Sequence, residues 1–159
     1  MYKNVVKQMG LFSGSYPYTV DSKGRIKFKK FLKRMSPDGK ETSNYHLLKQ
    51  ELKVDGKSYR FFYLFNESNW MKFYQEKGLS KLPTIRRTKF LKEQCGEASK
   101  DSAERLTFPK QFLEFINSPK ELMLQGDGEK IQVWSKSDYE SCFDSGLEDS
   151  EDTSLWDLG

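Results

Sequence analysis

The stretch Asp21-Ser22-Lys23-Gly24-Arg25-Ile26-Lys27-Phe28 returns eighty positions later as Asp101-Ser102-Ala103-Glu104-Arg105-Leu106-Thr107-Phe108. Both copies give Asp-Ser-x-x-Arg, then an aliphatic residue, a polar residue and Phe, and internal repetition of this kind is read before any single element. An Asp at the head of a tight loop accepts hydrogen bonds from backbone amides two or more positions on. Gly24 supplies the positive φ that such a turn often needs. The Arg that follows opens a short strand. In the first copy Arg25, Lys27 and Lys29 then share one side of the strand, opposite Ile26 and Phe28. Three outcomes are open to each guanidinium: forking onto a phosphate, reaching a guanine edge, or folding back on its own Asp to lock the turn.

Working outward, each copy runs on into a helical segment, Lys29-Lys30-Phe31-Leu32-Lys33 in the first and Pro109-Lys110-Gln111-Phe112-Leu113-Glu114 in the second. A second matched pair lies downstream. FFYLFNESNWMKFY over 61–74 aligns with KIQVWSKSDYESCF over 130–143 when Phe65 is set against Trp134. Each reads as an alternating strand, a polar cap and a helix with an aromatic one turn in, Trp70 or Tyr139. Asn66 or Ser68 is the expected cap of the first. The longer spacing in the first copy places an insertion within 36–58, marked by turns at Pro37-Asp38-Gly39 and Asp55-Gly56. Tyr16–Val20 and Leu122-Met123-Leu124 read as strands, Tyr45–Val54 as helix or strand, and 85–98 as a linking helix ended near Gly96. The organisation expected is a first unit over 10–80, a linking helix over 81–98, a second unit over 99–143 and a disordered acidic tail over 144–159.

Composition narrows the function. The 159 residues are only 36% apolar but 14% aromatic, so the expected core is thin and built on Phe and Tyr. Residues 1–92 carry 21 Lys and Arg against 7 Asp and Glu, and residues 93–159 carry 6 against 16, so the net charge of +4 conceals a basic half and an acidic half. A basic half points to an anionic partner, nucleic acid being the commonest, or to pairing with the acidic half of another subunit. No apolar run is long enough for a membrane span, and the basic start MYKNVVKQ reaches Gly10 without an apolar segment, so neither a span nor a secretory leader is expected. Cys95 and Cys142 form no disulfide framework or metal pattern and read as packing residues, with one bridge left open. His46 reads as a surface or packing histidine. Arg86, Arg87 and Lys89, with Lys81 and Lys92, read first as a solvated helix face. Phe61, Phe62, Tyr63, Phe65 and Trp70 read as core or subunit-contact residues before base-stacking ones. Without a phosphate loop, a nucleophile elbow or ligand spacing, no enzyme activity, cofactor, metal or small-molecule substrate is expected.

Gly10-Leu11-Phe12-Ser13-Gly14-Ser15-Tyr16 followed by Tyr18–Arg25, then Asp101–Pro109 and Ile131-Gln132-Val133-Trp134-Ser135-Lys136, resembles the MraZ family of bacterial regulators. The resemblance implies an α+β fold that is mainly β, with two tandem AbrB-like swapped-hairpin units in one chain and flanking helices. It implies a cytoplasmic, nucleoid-associated transcriptional regulator of cell-division and cell-wall genes. Such a regulator assembles as a homo-oligomer, in similar proteins a ring, on repeated elements of double-stranded DNA. Asp21 and Arg25, and Asp101 and Arg105, fall on the family's signature positions. The DNA-binding residues expected are Lys23, Arg25, Lys27, Lys29, Lys30 and Arg105, with Asp21, Gly24 and Asp101 shaping the turns. Lys29 replaces the family's usual Pro, and Glu104 its usual Gly, which implies a distorted and less basic second turn. Two other readings compete: an oligomeric interaction protein whose basic and acidic halves pair between subunits without DNA, and an AbrB-like antitoxin holding a partner protein.

Overall fold

A computed structural model describes residues 13–27, 32 and 44–143. Its strands are β1 (Ser15–Thr19), β2 (Arg25–Lys27), β3 (Asn44–Val54), β4 (Lys57–Phe65), β5 (Cys95–Lys100), β6 (Arg105–Thr107), β7 (Glu121–Asp127) and β8 (Lys130–Ser135). Its helices are α1 (Glu67–Glu76), α2 (Thr84–Gln94), α3 (Lys110–Phe115) and α4 (Lys136–Phe143), with a 3₁₀ turn at Leu79–Lys81. Residues 10–12, Phe28 to Phe31 and the acidic tail 144–159, on which several expectations fell, lie outside the described residues. Of the helical run after the first corner only Leu32 is described, helical and fully buried.

All eight strands belong to one sheet, in the order β1-β7-β8-β4-β3-β5-β6-β2. β1 and β2, at the two ends of that order, are consecutive in the chain and joined by the Asp21 corner, so the sheet curls into a nearly closed barrel. This is the mainly β, α+β architecture that the family resemblance implied. The pairing interleaves the two parts of the chain. β1 pairs with β7 and β5 with β3, each an antiparallel ladder between an early strand and a late one. β2 and β6, which carry the two Asp-x-x-x-Arg motifs, pair with each other: Arg25 opposite Thr107, Ile26 opposite Leu106, Lys27 opposite Arg105. That register sets Ile26 opposite its own repeat equivalent, Leu106, while Arg25 faces the equivalent of Lys27 and Lys27 the equivalent of Arg25, as a local two-fold through Ile26 and Leu106 requires.

Strand alternation sorts the apolar residues into two layers. Phe62 and Leu64 of β4 face the barrel interior with Ile26, Tyr45, Leu47, Leu106, Phe108, Phe112, Leu124 and Val133. Phe61, Tyr63 and Phe65 face the other way, beneath α1 and α4, with Trp70, Trp134 and Cys142. β4 is buried on both faces, which is why it reads as a continuous aromatic run. The aligned positions Phe65 and Trp134 share this outer layer, where Trp134 stacks on Phe61 at 4.7 Å and Phe65 packs edge-on to Trp70 at 5.3 Å. Asn66 caps α1 by accepting a 2.8 Å bond from the Asn69 amide.

The helix expected over 85–98 stops at Gln94, and 95–100 is strand β5. Gly96 explains the switch. It is a poor helix former, and in β5 its missing side chain lets the Phe112 ring lie directly on the strand, where an added Cβ would overlap the ring. Gly96→Ala therefore overpacks the barrel interior and is expected to cost about 1–3 kcal/mol, while Phe112→Ala leaves a cavity and is expected to cost about 3–5 kcal/mol. Urea midpoints at unchanged m-value measure both.

Candidate nucleic-acid interface

The two corners are built alike, atom for atom. In the first, Asp21 Oδ1 accepts from the amides of Lys23 and Arg25, both at 2.9 Å, and Oδ2 accepts from Arg25 Nε at 2.7 Å. In the second, Asp101 Oδ1 accepts from the amides of Ala103 and Arg105 at 2.9 Å, and Oδ2 accepts from Arg105 Nε at 3.0 Å. The backbone closes identically. Asp21 N donates to Arg25 O and Gly24 N to Asp21 O, while Asp101 N donates to Arg105 O and Glu104 N to Asp101 O, all at 3.0–3.1 Å.

Gly24 takes φ of 76° and Glu104 takes φ of 57°, so the second turn is not distorted by the loss of glycine. Instead Glu104 carries the strain of a left-handed side-chain-bearing residue. Gly24 has a further reason to be glycine: an added Cβ would sit 3.1 Å from Leu113 Cδ1 and 3.2 Å from the Phe108 carbonyl oxygen.

Each guanidinium thus folds back on its own Asp, but only through Nε. A guanidinium has five N–H donors, and the bond to Asp uses only the one on Nε. Among the described residues Asp21 and Asp101 are the only acceptors on Arg25 and Arg105, whose side chains remain 23% and 40% exposed. The fork is held at its root and open at its tip. A groove of about 490 Å³ is lined by Asp21, Arg25, Ile26 and Lys27 of the first corner and by Arg105 of the second, with Tyr18 and Thr19 beside them. Burial pushes the Tyr18 phenol up to about 12, the neighbouring Tyr16 adding to the shift, so it stays neutral there.

The expected site residues therefore divide. Arg25, Lys27 and Arg105 converge on this groove. Lys23 projects on the other side of the corner, into a second groove of about 580 Å³ that Lys110 and Lys120 also line. Lys29 and Lys30 lie outside the described residues. Sequence reading left out Lys110 and Lys120. Lys110 stands eighty positions after Lys30, so the repeat offset marked it; nothing in the pattern marked Lys120.

Arg87, Cys95, Cys142 and His46 have structural surroundings. Arg87 donates to the carbonyls of Ser80 and Leu82, holding the 3₁₀ turn against α2. Cys95 and Cys142 form no disulfide among the described residues, and burial pushes their thiols up to about 12 and about 11, Asp138 adding to the second. His46 stacks on Trp70 at 5.5 Å, a packing role. Among the described residues no helix is long and apolar enough to cross a membrane.

No family model matches the chain. It is similar to the protein named Transcriptional regulator MraZ of Marinomonas sp. (strain MWYL1), with 27% identity over 93% of this chain and 99% of that one. It is also similar to the protein of the same name from Mycoplasmopsis pulmonis (strain UAB CTIP), with 39% identity over 31% of this chain and 33% of that one.

Two consequences follow from the corner geometry. The Asp21 carboxyl is held below its ordinary value of 3.8 first by the Arg25 amide, against some desolvation, and then by the Arg25 guanidinium and the Lys23 amide. Asp101 is lowered by the matching groups of Arg105 and Ala103. A depressed folded value means a contribution to stability that is complete above the unfolded value and lost as pH falls through the folded one. Stability is therefore expected to drop as pH falls below 3.8, and Asp21→Asn and Asp101→Asn are each expected to flatten that dependence in urea melts run against pH. Glu104→Gly relieves the left-handed strain and is expected to raise stability by roughly 0.5–1 kcal/mol, read as a higher urea midpoint.

Proposed function

On the MraZ-family assignment that both similarities support, we propose that the protein is a sequence-specific DNA-binding transcriptional regulator. It acts as a homo-oligomer on repeated promoter elements, near a cell-division or cell-wall gene cluster, in association with the nucleoid. The observation that carries this reading is the convergence of Arg25, Lys27 and Arg105 on one groove across the β2–β6 pair. Asp21 and Asp101 hold each guanidinium by Nε, so the Nη fork is ordered before DNA arrives and less side-chain entropy is lost on contact. The fork suits a phosphate or the O6 and N7 acceptors of guanine. Lys27, an exposed point charge beside it, suits a phosphate.

One such groove is a small footprint. Several copies presented together to repeated elements gain affinity through effective concentration without any new contact. Glu104 and Ala103 stand where the first corner has Gly24 and Lys23, so the first corner contributes more of the attraction.

The test is a titration of the full chain with duplex DNA from upstream of its own gene, alongside size-exclusion chromatography across a salt series. Arg25→Ala is expected to weaken binding roughly 5- to 150-fold, the worth of one bidentate contact, with the oligomer unchanged. Wild-type affinity is expected to fall steeply with salt. Binding by Arg25→Ala equal to that of the wild type removes the groove from the reading. An assembly that salt dissociates, with no DNA bound at any ionic strength, favours pairing of basic and acidic regions between subunits instead.

A further inference from the structure

The first corner does not end at its own strand. The Phe108 amide donates to the Gly24 carbonyl and the Val20 amide to the Lys120 carbonyl, both at 2.9 Å, so the segment from Phe108 to Lys120 is bonded to the corner at two points. Leu113 of α3 closes on Gly24 itself. Between these contacts lies the second groove, lined by Lys23 and Ser22 of the corner and by Lys110, Ser118, Pro119 and Lys120 of the later segment. Lys23, Lys110 and Lys120 are all exposed and come from three separate places in the chain.

Among the described residues the one carboxylate lining this groove is that of Asp21, already committed to Arg25 and to two backbone amides. Glu114 lies 3.9 Å from Lys110 Nζ, but both side chains are more than half exposed and water screens the pair. Three cations around one groove, beside a corner whose opposite side bears Arg25 and Lys27, make a positive surface continuous with the candidate interface.

We propose that Lys110 and Lys120, with Lys23, form a second DNA-backbone contact, in which their ammonium groups meet phosphates flanking the element read by the Arg25–Arg105 groove. The inference rests on the DNA-binding reading and extends it to residues from the part of the chain whose net charge is acidic. Ammonium groups on phosphate position a duplex without reading its sequence. Their loss therefore weakens binding equally on cognate and scrambled DNA and lowers the salt dependence by about one unit of slope per phosphate released.

The experiment measures fluorescence anisotropy of the full chain on two labelled duplexes, one from upstream of its own gene and one scrambled at the same length, across a potassium chloride series. The Lys110→Ala/Lys120→Ala double variant is expected to weaken binding to both duplexes by the same factor and to lower the slope of log affinity against log salt by roughly 2. Lys110→Arg/Lys120→Arg is expected to retain the wild-type slope. Lys53→Ala/Lys57→Ala, on the exposed β3–β4 hairpin, removes the same charge elsewhere and is expected to leave the slope unchanged. If the Lys110/Lys120 variant keeps the wild-type slope while Arg25→Ala still weakens binding, the second contact is wrong and the DNA reading stands. If the wild type binds neither duplex, or Arg25→Ala binds as tightly as the wild type, the reading fails and takes this inference with it.

Discussion

Three residues of β2 pair with three of β6, and at the centre of that short ladder Ile26 and Leu106 are both sealed from solvent. Neither strand is long enough to be stable alone. Each depends on the corner that precedes it, where one aspartate satisfies two amides and a guanidinium, and on the other strand across the ladder. The Asp corners fix where the strands begin, the ladder fixes that the two corners lie side by side, and the buried pair fixes the register. A slip of one residue would turn Ile26 and Leu106 outward and bring the arginines into the barrel. The groove that gathers Arg25, Lys27 and Arg105 exists only because that register holds.

Much of this was legible from residue patterns, because the signals were local. The Asp-x-x-x-Arg corner is a closed set of hydrogen bonds within five residues, and its repetition at an offset of eighty appears without any structure. The aromatic alternation over 61–65, the Asn66 cap and the placement of Trp70 and Tyr139 one turn into their helices follow from strand and helix periods. Partner choice was not legible. Periodicity says which face of a strand is buried but not which strand lies beside it, so nothing in residues 15–19 indicated β7 as their neighbour. The misreading of 95–98 as helix has the same origin. Cys95 to Lys100 has no strong period, and it becomes a strand because β3 offers it a ladder and Phe112 needs the space over Gly96. For the site, the pattern found the groups that share a corner; Lys110 was marked only by its offset from Lys30, and Lys120 reaches that corner only through the fold.

The two corners are equal in backbone and unequal in chemistry. Glu104 holds a left-handed conformation that glycine holds without strain, yet every hydrogen bond of the first corner is reproduced in the second. The aspartate network is thus strong enough to impose the turn on a residue that resists it. The geometry of the corner is set by Asp and Arg together, while the charge around it is set by the residues between them. That separation lets one frame carry a basic corner and an acidic one without change of shape.

The division of charge along the chain takes a different meaning once the strand order is known. A basic stretch followed by an acidic one would put opposite charges on opposite ends of two consecutive units. Here the early and late strands alternate around one sheet, so among the described residues the division is not a spatial one. Lys72 from the basic stretch already pairs with Glu129 from the acidic one at 3.0 Å within the same molecule. Conversely, three of the six cations beyond residue 92, Arg105, Lys110 and Lys120, lie around the corners. The late stretch is acidic by count, yet it brings half of its cations to the corners beside Lys23, Arg25 and Lys27 of the early stretch. An anion lying across the β2–β6 pair therefore meets a positive field assembled from both parts of the chain, and the interleaving of strands assembles it.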